Sequence, residues 1–236
     1  MRPKTFAPCK AFDGKLEIPY RFPSFMAAVS SNRSMKDARL RILRQAREDV
    51  FAHGYSSFTM DALAAELGMS KKTLYVHFAG KDEIVSAVID DLAAEIRGRA
   101  DALLGNRELN LAEKLRGFVE DLVNRIGKLN PRAIRDVQRF APQLYARLEE
   151  VRGTVLPYVF GRFIEEGQAA GLVRPSLPAG FAIEFFLHAM QGMMHPATLD
   201  RLDLTPREAI PTAIALFFGG LLTTAGRKQY EKLFPH

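Results

Sequence analysis

"FTMDALAAELGMSKKTLYVHFAGK", Phe58 to Lys81, carries two short helical patterns separated by Gly68-Met69-Ser70. Thr59 is a good N-cap residue, and Asp61 follows in the first turn, where a carboxylate suits the helix dipole. Met60, Leu63, Ala64 and Leu67 recur at helical spacing, and Gly68 stops the run after about two turns. Ser70 caps a second helix whose first residue is Lys71, and Gly80 closes it. Upstream, Lys36 to His53 reads as an amphipathic helix. Leu40, Leu43, Ala46, Val50 and, at the margin, Phe51 share one face, Arg39, Arg41, Arg44 and Arg47 lie elsewhere, and Gly54 ends it. Downstream, Lys81-Asp82-Glu83 opens a longer helix through Ile84, Val85, Val88, Ile89, Leu92 and Ile96 to about Leu104. Three closely spaced helices with a short middle one form the pattern of a helix-turn-helix unit. In such a unit the third helix projects its N-terminal side chains into the major groove of DNA.

The helical period says which of these side chains face outward. At about 100° per residue from Lys71, Leu74 falls near 300° and Phe78 near 340°, so the buried face centres near 320°. Val76 then points directly away, with Lys72 and Thr73 beside it and Tyr75 and His77 on the two flanks. Lys72 is expected to reach guanine acceptors, with Thr73 able to take that role if the register shifts by one residue, and Val76 to meet a thymine methyl. Tyr75 and His77 are expected at phosphates. Lys71, Lys81 and the amides at the start of the helix that Thr59 caps add grip on the backbone. A solvated basic helix would also turn its charges outward, but it gives no reason for an outward valine flanked by tyrosine and histidine.

Charge distribution supports the same end of the chain. Net charge is +6 over 236 residues; residues 1–81 hold 14 Lys/Arg against 7 Asp/Glu, which leaves 19 against 20 for the remainder. The excess positive charge therefore belongs to the N-terminal third, which suits nucleic acid or an anionic membrane surface, the alternative being an ordinary protein with a slightly basic tail. Helix formers dominate and runs of β-branched residues are scarce, so the chain reads as all-α. Cys9 is the single cysteine, which excludes an internal disulfide framework and a cysteine-rich zinc site. The longest apolar stretch, Ala209 to Ala225, contains Pro211 and a Gly-Gly pair and reads as a buried helix, not a membrane span. With no secretory signal pattern at the N-terminus, a cytoplasmic location is expected. Residues 1–34 carry four prolines and no sustained period, which predicts an irregular extension. It is either a basic arm, an inert tail, or an artefact of where translation was assumed to start, since Met26 and Met35 both precede the first convincing helix.

These residues resemble the tetracycline-repressor (TetR) family of bacterial regulators. The matching run is Ile42-Leu43, Ala46, Gly54-Tyr55, Phe58-Thr59-Met60, Leu63-Ala64, Leu67-Gly68-Met69-Ser70, Thr73-Leu74-Tyr75, His77-Phe78, Lys81-Asp82 and Ile84-Val85. It covers about fifty residues, roughly a fifth of the chain. Val50 stands where the family often has phenylalanine, and Phe51 follows it, a variation in packing. The resemblance implies a homodimer, with a DNA-binding domain over residues 35–82 and a helical ligand-binding and dimerisation domain over 83–236. It implies double-stranded operator DNA as partner, read as a palindrome by the two-fold dimer. It further implies a small-molecule effector that alters the separation of the two reading helices, most members being repressors and some activators.

Beyond Leu104, helical segments are expected at Leu109 to Leu129, Arg132 to Gln138, Pro142 to Leu148, Val151 to Ala170, Ala179 to Met194 and Pro206 to Ala225, with a short piece to Leu233. Aromatic and methionine side chains are numerous here, and flexible apolar walls with a few polar groups suit a small-molecule pocket. The candidate lining is Phe118, Leu122, Gln138, Tyr145, Phe163, Phe185, His188 and Gln191. Glu184 and His188 stand four apart on one helix, a pairing that core or surface hydrogen bonding explains better than a metal. The helices at 179–194 and 206–225 are more apolar than one core face requires, through Ile183, Phe186, Leu187, Ile214, Phe217, Phe218, Leu221 and Leu222. By resemblance they pair with their two-fold copies as a four-helix bundle. No Gly-rich phosphate loop, nucleophile elbow or paired-histidine motif is present, so neither catalysis nor a cofactor or metal is expected. The expected function is a DNA-binding transcriptional regulator, a repressor released from its operator by a small, largely apolar ligand. The alternatives are an activator, or a constitutive DNA-binding protein of the same fold without an effector.

Overall fold

The computed structural model describes residues 25–126 and 130–233, with side chains over 35–126, 130 and 133–231. Residues 1–24, and Cys9 with them, lie outside the described residues, as does the expected end of a helix at Leu129. The chain divides into two compact units, Met1–Ala38 and Arg39–His236. Among the described residues there are eleven helices and no strand, only an isolated antiparallel bridge between Val173 and Leu222.

The first helix, α1 (Phe25–His53), begins earlier than expected. No proline or glycine interrupts residues 25–53, so nothing in the backbone stops the helix from extending upstream of Lys36. Gly54 follows at φ 83, and the chain turns into α2 (Met60–Leu67) and α3 (Lys71–His77). Gly68, at φ 62, closes α2 in the left-handed conformation that glycine adopts without a Cβ penalty. The third helix ends at His77, before the expected Gly80, because Phe78 turns into extended backbone and sinks its ring into the core. Glu83 then accepts from the Ala79 amide at 2.5 Å at the start of α4 (Lys81–Gly105).

Two apolar cores lie within the second unit. The first gathers Ile42, Ala46, Leu63, Leu74, Phe78 and Ile84, with Val50, Val85 and Val88, from α1 to α4. It also takes Val137 from α6 (Pro131–Phe140) and Ala141 and Leu144 at the start of α7 (Pro142–Ala169). The second core is built by α4, α5 (Leu111–Ile126), α7, α8 (Ala179–Met193) and α10 (Pro206–Leu221), around Phe118, Phe160, Phe163, Phe186, Phe217 and Phe218. Their rings meet edge-on or tilted at centroid distances of 4.4 to 6.4 Å, a favourable arrangement for aromatic quadrupoles. Lys114 is buried against this core, its ammonium donating to the Leu104 carbonyl at 3.0 Å and paired with Glu166. Glu95 of α4 binds both Arg47 of α1 and Arg125 of α5, so one carboxylate ties three helices.

Three features differ from expectation. The segments expected at 142–148 and 151–170 form one helix of 28 residues. The boundary placed at Glu149-Glu150 holds no breaker, and Arg147–Glu150 and Arg152–Glu149 pairs bridge it. A short helix, α9 (Pro196–Leu202), occupies a stretch expected to be loop, started by Pro196 and capped by the His195 ring. The helix expected to run to Ala225 stops at Leu221, and the expected final piece, α11 (Thr224–Leu233), begins before that boundary.

Candidate functional site

Thr59 and Ser70 set the geometry of the exposed end of the first core. The Thr59 hydroxyl accepts from the Ala62 amide at 3.2 Å, and the Ser70 hydroxyl accepts from the Thr73 amide at 3.1 Å. Each satisfies a donor that a helix start leaves open. Leu74 and Phe78 are buried at 0% and 1% exposure, whereas Val76 is 64% and Tyr75 54% exposed. Lys72 and Thr73 are exposed, and His77 is half-buried. The outward strip is therefore Lys72, Thr73 and Val76, flanked by Tyr75 and His77.

The lysines differ in their surroundings. Lys71 pairs with Asp61 of α2, and the hydrogen bond to that carboxylate raises its pKa. Both side chains are more than half exposed, so a phosphate can replace the aspartate with little loss. Lys81 is half-buried, its ammonium lying 4.0 Å from the centre of the Tyr55 ring. That contact leaves its charge uncompensated. Tyr55 in turn donates its hydroxyl to Asp82, and burial with this bond pushes its pKa up to about 12. Gln143 of α7 donates to the other oxygen of Asp82 at 3.0 Å. The positions that sequence reasoning passed over are Arg39, stacked on the Phe78 ring at 4.7 Å, and Arg41, near the C-terminus of α2 through the Leu67 carbonyl at 3.4 Å.

Next to this region lies a cavity of about 180 Å³. Its walls come from α1, α4 to α8 and α10, and almost all are apolar. Of the candidate lining residues, Phe118, Leu122 and Gln191 face it. The others do not. Phe163 is wholly buried in the aromatic cluster, and Tyr145 packs against the first core, where burial raises its pKa. Gln138 is half-buried on α6, outside the walls. Phe185 is 61% exposed, and the His188 ring is also exposed, its Nδ1 lying 2.8 Å from the Glu184 carbonyl one turn back. The helix carrying these two is apolar nearly all round, so spacing alone gave no direction to its faces. Val50, Val85, Val88, Ile134, Arg152, Met190 and Met194 are lining residues that were missed.

The outer face of α8 and α10 needs a parallel correction. Phe186, Leu187, Ile214, Phe217, Phe218, Leu221 and Leu222 are buried within the chain, and of the residues named for this pairing only the half-buried Ile183 keeps part of its surface exposed. The exposed large side chains on these helices are Phe181, Phe185 and Leu216.

Residues 42–88, which hold the whole of α2, α3 and the turns around them, match the family model described as bacterial regulatory proteins, tetR family. The chain carries the DNA-binding domain of the tetR family. It is a transcriptional regulator with a DNA-binding helix-turn-helix, as its relatives also indicate. The HTH-type regulator UidR of Escherichia coli K12 is 26% identical over 198 residues, 79% of this chain and 94% of UidR. The HTH-type regulator YvaF of Bacillus subtilis is 33% identical over 100 residues, 42% of this chain, and the match spans about half of YvaF, 52%. The crystal structure of regulatory protein TetR from Rhodobacter sphaeroides superposes with a TM-score of 0.59 at 19% identity, over 77% of this chain and 97% of that one. Similarity to this tetR-family structure extends the shared fold well beyond residues 42–88. No helix among the described residues is long and apolar enough to cross a membrane.

Proposed function

We propose that this tetR-family regulator is a homodimeric repressor in the cytoplasm, released from a palindromic operator when a small apolar ligand fills the cavity. The proposed division is a reading domain over 35–82, its core continued by Ile84, Val85 and Val88, and a ligand and dimer domain over 83–236. Lys72, Thr73 and Val76 read base edges; Tyr75, His77, Lys71 and Lys81 hold phosphates. Ser70 and Thr59 fix the two helix starts, with the amides of α2 directed at the backbone of the duplex. Phe118, Leu122 and Gln191 contact the ligand.

One observation carries the coupling. Val50, Val85, Val88 and Val137 belong to the first core and also wall the cavity. Four side chains thus sense the ligand on one side and support the reading helices on the other. A ligand that prefers one arrangement of this shared wall must change DNA affinity by the same factor by which DNA changes ligand affinity. Selection of bound fragments from the source genome tests the reading. The expected product is a set of two-fold symmetric sites upstream of genes whose expression rises when the regulator is deleted. Asymmetric sites, or expression that falls on deletion, would overturn the dimeric-repressor reading.

A further inference from the structure

The composition of the cavity wall limits what can enter it. Of 26 lining residues, only Arg152 and Gln191 have polar side chains, and no carboxylate is among them. Arg152 already donates to Glu149 at 2.6 Å, with the two side chains 22% and 26% exposed. Glu149 itself does not line the cavity. The cavity therefore faces a neutralised ion pair and one amide. A cation entering it meets no counter-charge. An anion must share a guanidinium that holds a carboxylate, leaving net negative charge in apolar surroundings, which is strongly disfavoured. Size adds a second limit: at about 180 Å³ the space only modestly exceeds the ~150 Å³ apolar cavity that takes up benzene.

We propose that the cavity takes a compact, electrically neutral apolar molecule of about one substituted ring, and that Glu149 enforces neutrality by occupying the guanidinium of Arg152. This rests on reading the cavity as the effector site. Acetophenone, benzoate and benzamidinium have the same number of non-hydrogen atoms and nearly the same shape, and differ in charge. Titration calorimetry on the full chain should give acetophenone about tenfold tighter binding, or more, than either ion. Val155→Phe, which fills the space, should abolish that binding; Leu156→Trp serves the same purpose if the first variant folds poorly. Glu149→Gln frees the arginine charge and should bring benzoate level with acetophenone while benzamidinium stays weak. In Arg152→Gln the neutral compound should keep its lead over benzoate.

Equal binding of either ion to the unaltered protein, no binding of any of the three, or acetophenone binding that survives both filling variants would overturn the proposal. So would an unchanged rank of benzoate in a folded Glu149→Gln protein. Operator affinity is a separate readout. A compound that occupies the cavity by these criteria yet leaves operator binding unchanged would sink the effector reading and leave the ligand class standing.

Discussion

Lys71 and Lys72 are adjacent, equally charged and unequal in role. Lys71 leans on Asp61, whereas Lys72 stands on the outward strip beside the exposed Val76 with no ion-pair partner among the described residues. Lys72→Ala should therefore remove about 1 to 3 kcal/mol of preference at one half-site position. Its binding to random DNA should fall far less. Lys81→Ala should weaken specific and random complexes together and lower the salt slope by about 1. Tyr75→Phe should weaken both without that change in slope, because it removes a neutral donor. Competitive binding titrations at several salt concentrations separate these outcomes, and equal losses on both DNAs for Lys72→Ala would move base reading to Thr73. The helical period of a seven-residue segment sufficed to place these side chains, because the fully buried Leu74 marks its inward side and Phe78 turns into the same core just beyond its end.

At the level of helices, α6 joins the two halves of the second unit. Its apolar face gives Ala133, Ile134 and Val137 to the cavity, while Asp136 receives the Ser56 amide and, at 2.8 Å, the Ser56 hydroxyl in the turn between α1 and α2. A Cβ on Gly54 would meet the Asp136 carboxylate at 2.8 Å, so the turn is bare where α6 approaches it. Asp136→Ala should cost about 1 kcal/mol of stability and speed amide exchange at Ser56, leaving exchange in α10 unchanged. Unaltered Ser56 exchange would show that the carboxylate does not hold the turn. None of this link was legible in the sequence, since Ser56 and Asp136 lie 80 residues apart. The reading helices were legible because caps, glycine turns and apolar spacing agree over α2, α3 and α4. Agreement of this kind fails at α9, which is too short and polar to show a period, and at α8, whose apolar residues surround the helix and leave its inward face undefined.

For the whole molecule, in the homodimer proposed above the exposed Phe181 and Phe185 of α8 and Leu216 of α10 are the large apolar side chains offered to a second copy. Phe185→Glu combined with Leu216→Arg should yield a folded monomer in sedimentation experiments, with helical content unchanged by circular dichroism. Its affinity for a two-half-site operator should fall much further than its affinity for random DNA. A wild-type protein that sediments as a monomer would remove this surface from the mechanism. The four valines shared by the reading core and the cavity bear on the history of the molecule as well as its action. A mutation there that suits a new ligand also disturbs the helices that recognise the operator. Retuning to another compound is consequently channelled to the lining residues of the second core, Phe118, Leu122, Val155, Met190 and Met194. Duplicated copies of such a regulator can diverge in what they sense through one half of the cavity, while the other half is kept fixed by what they bind.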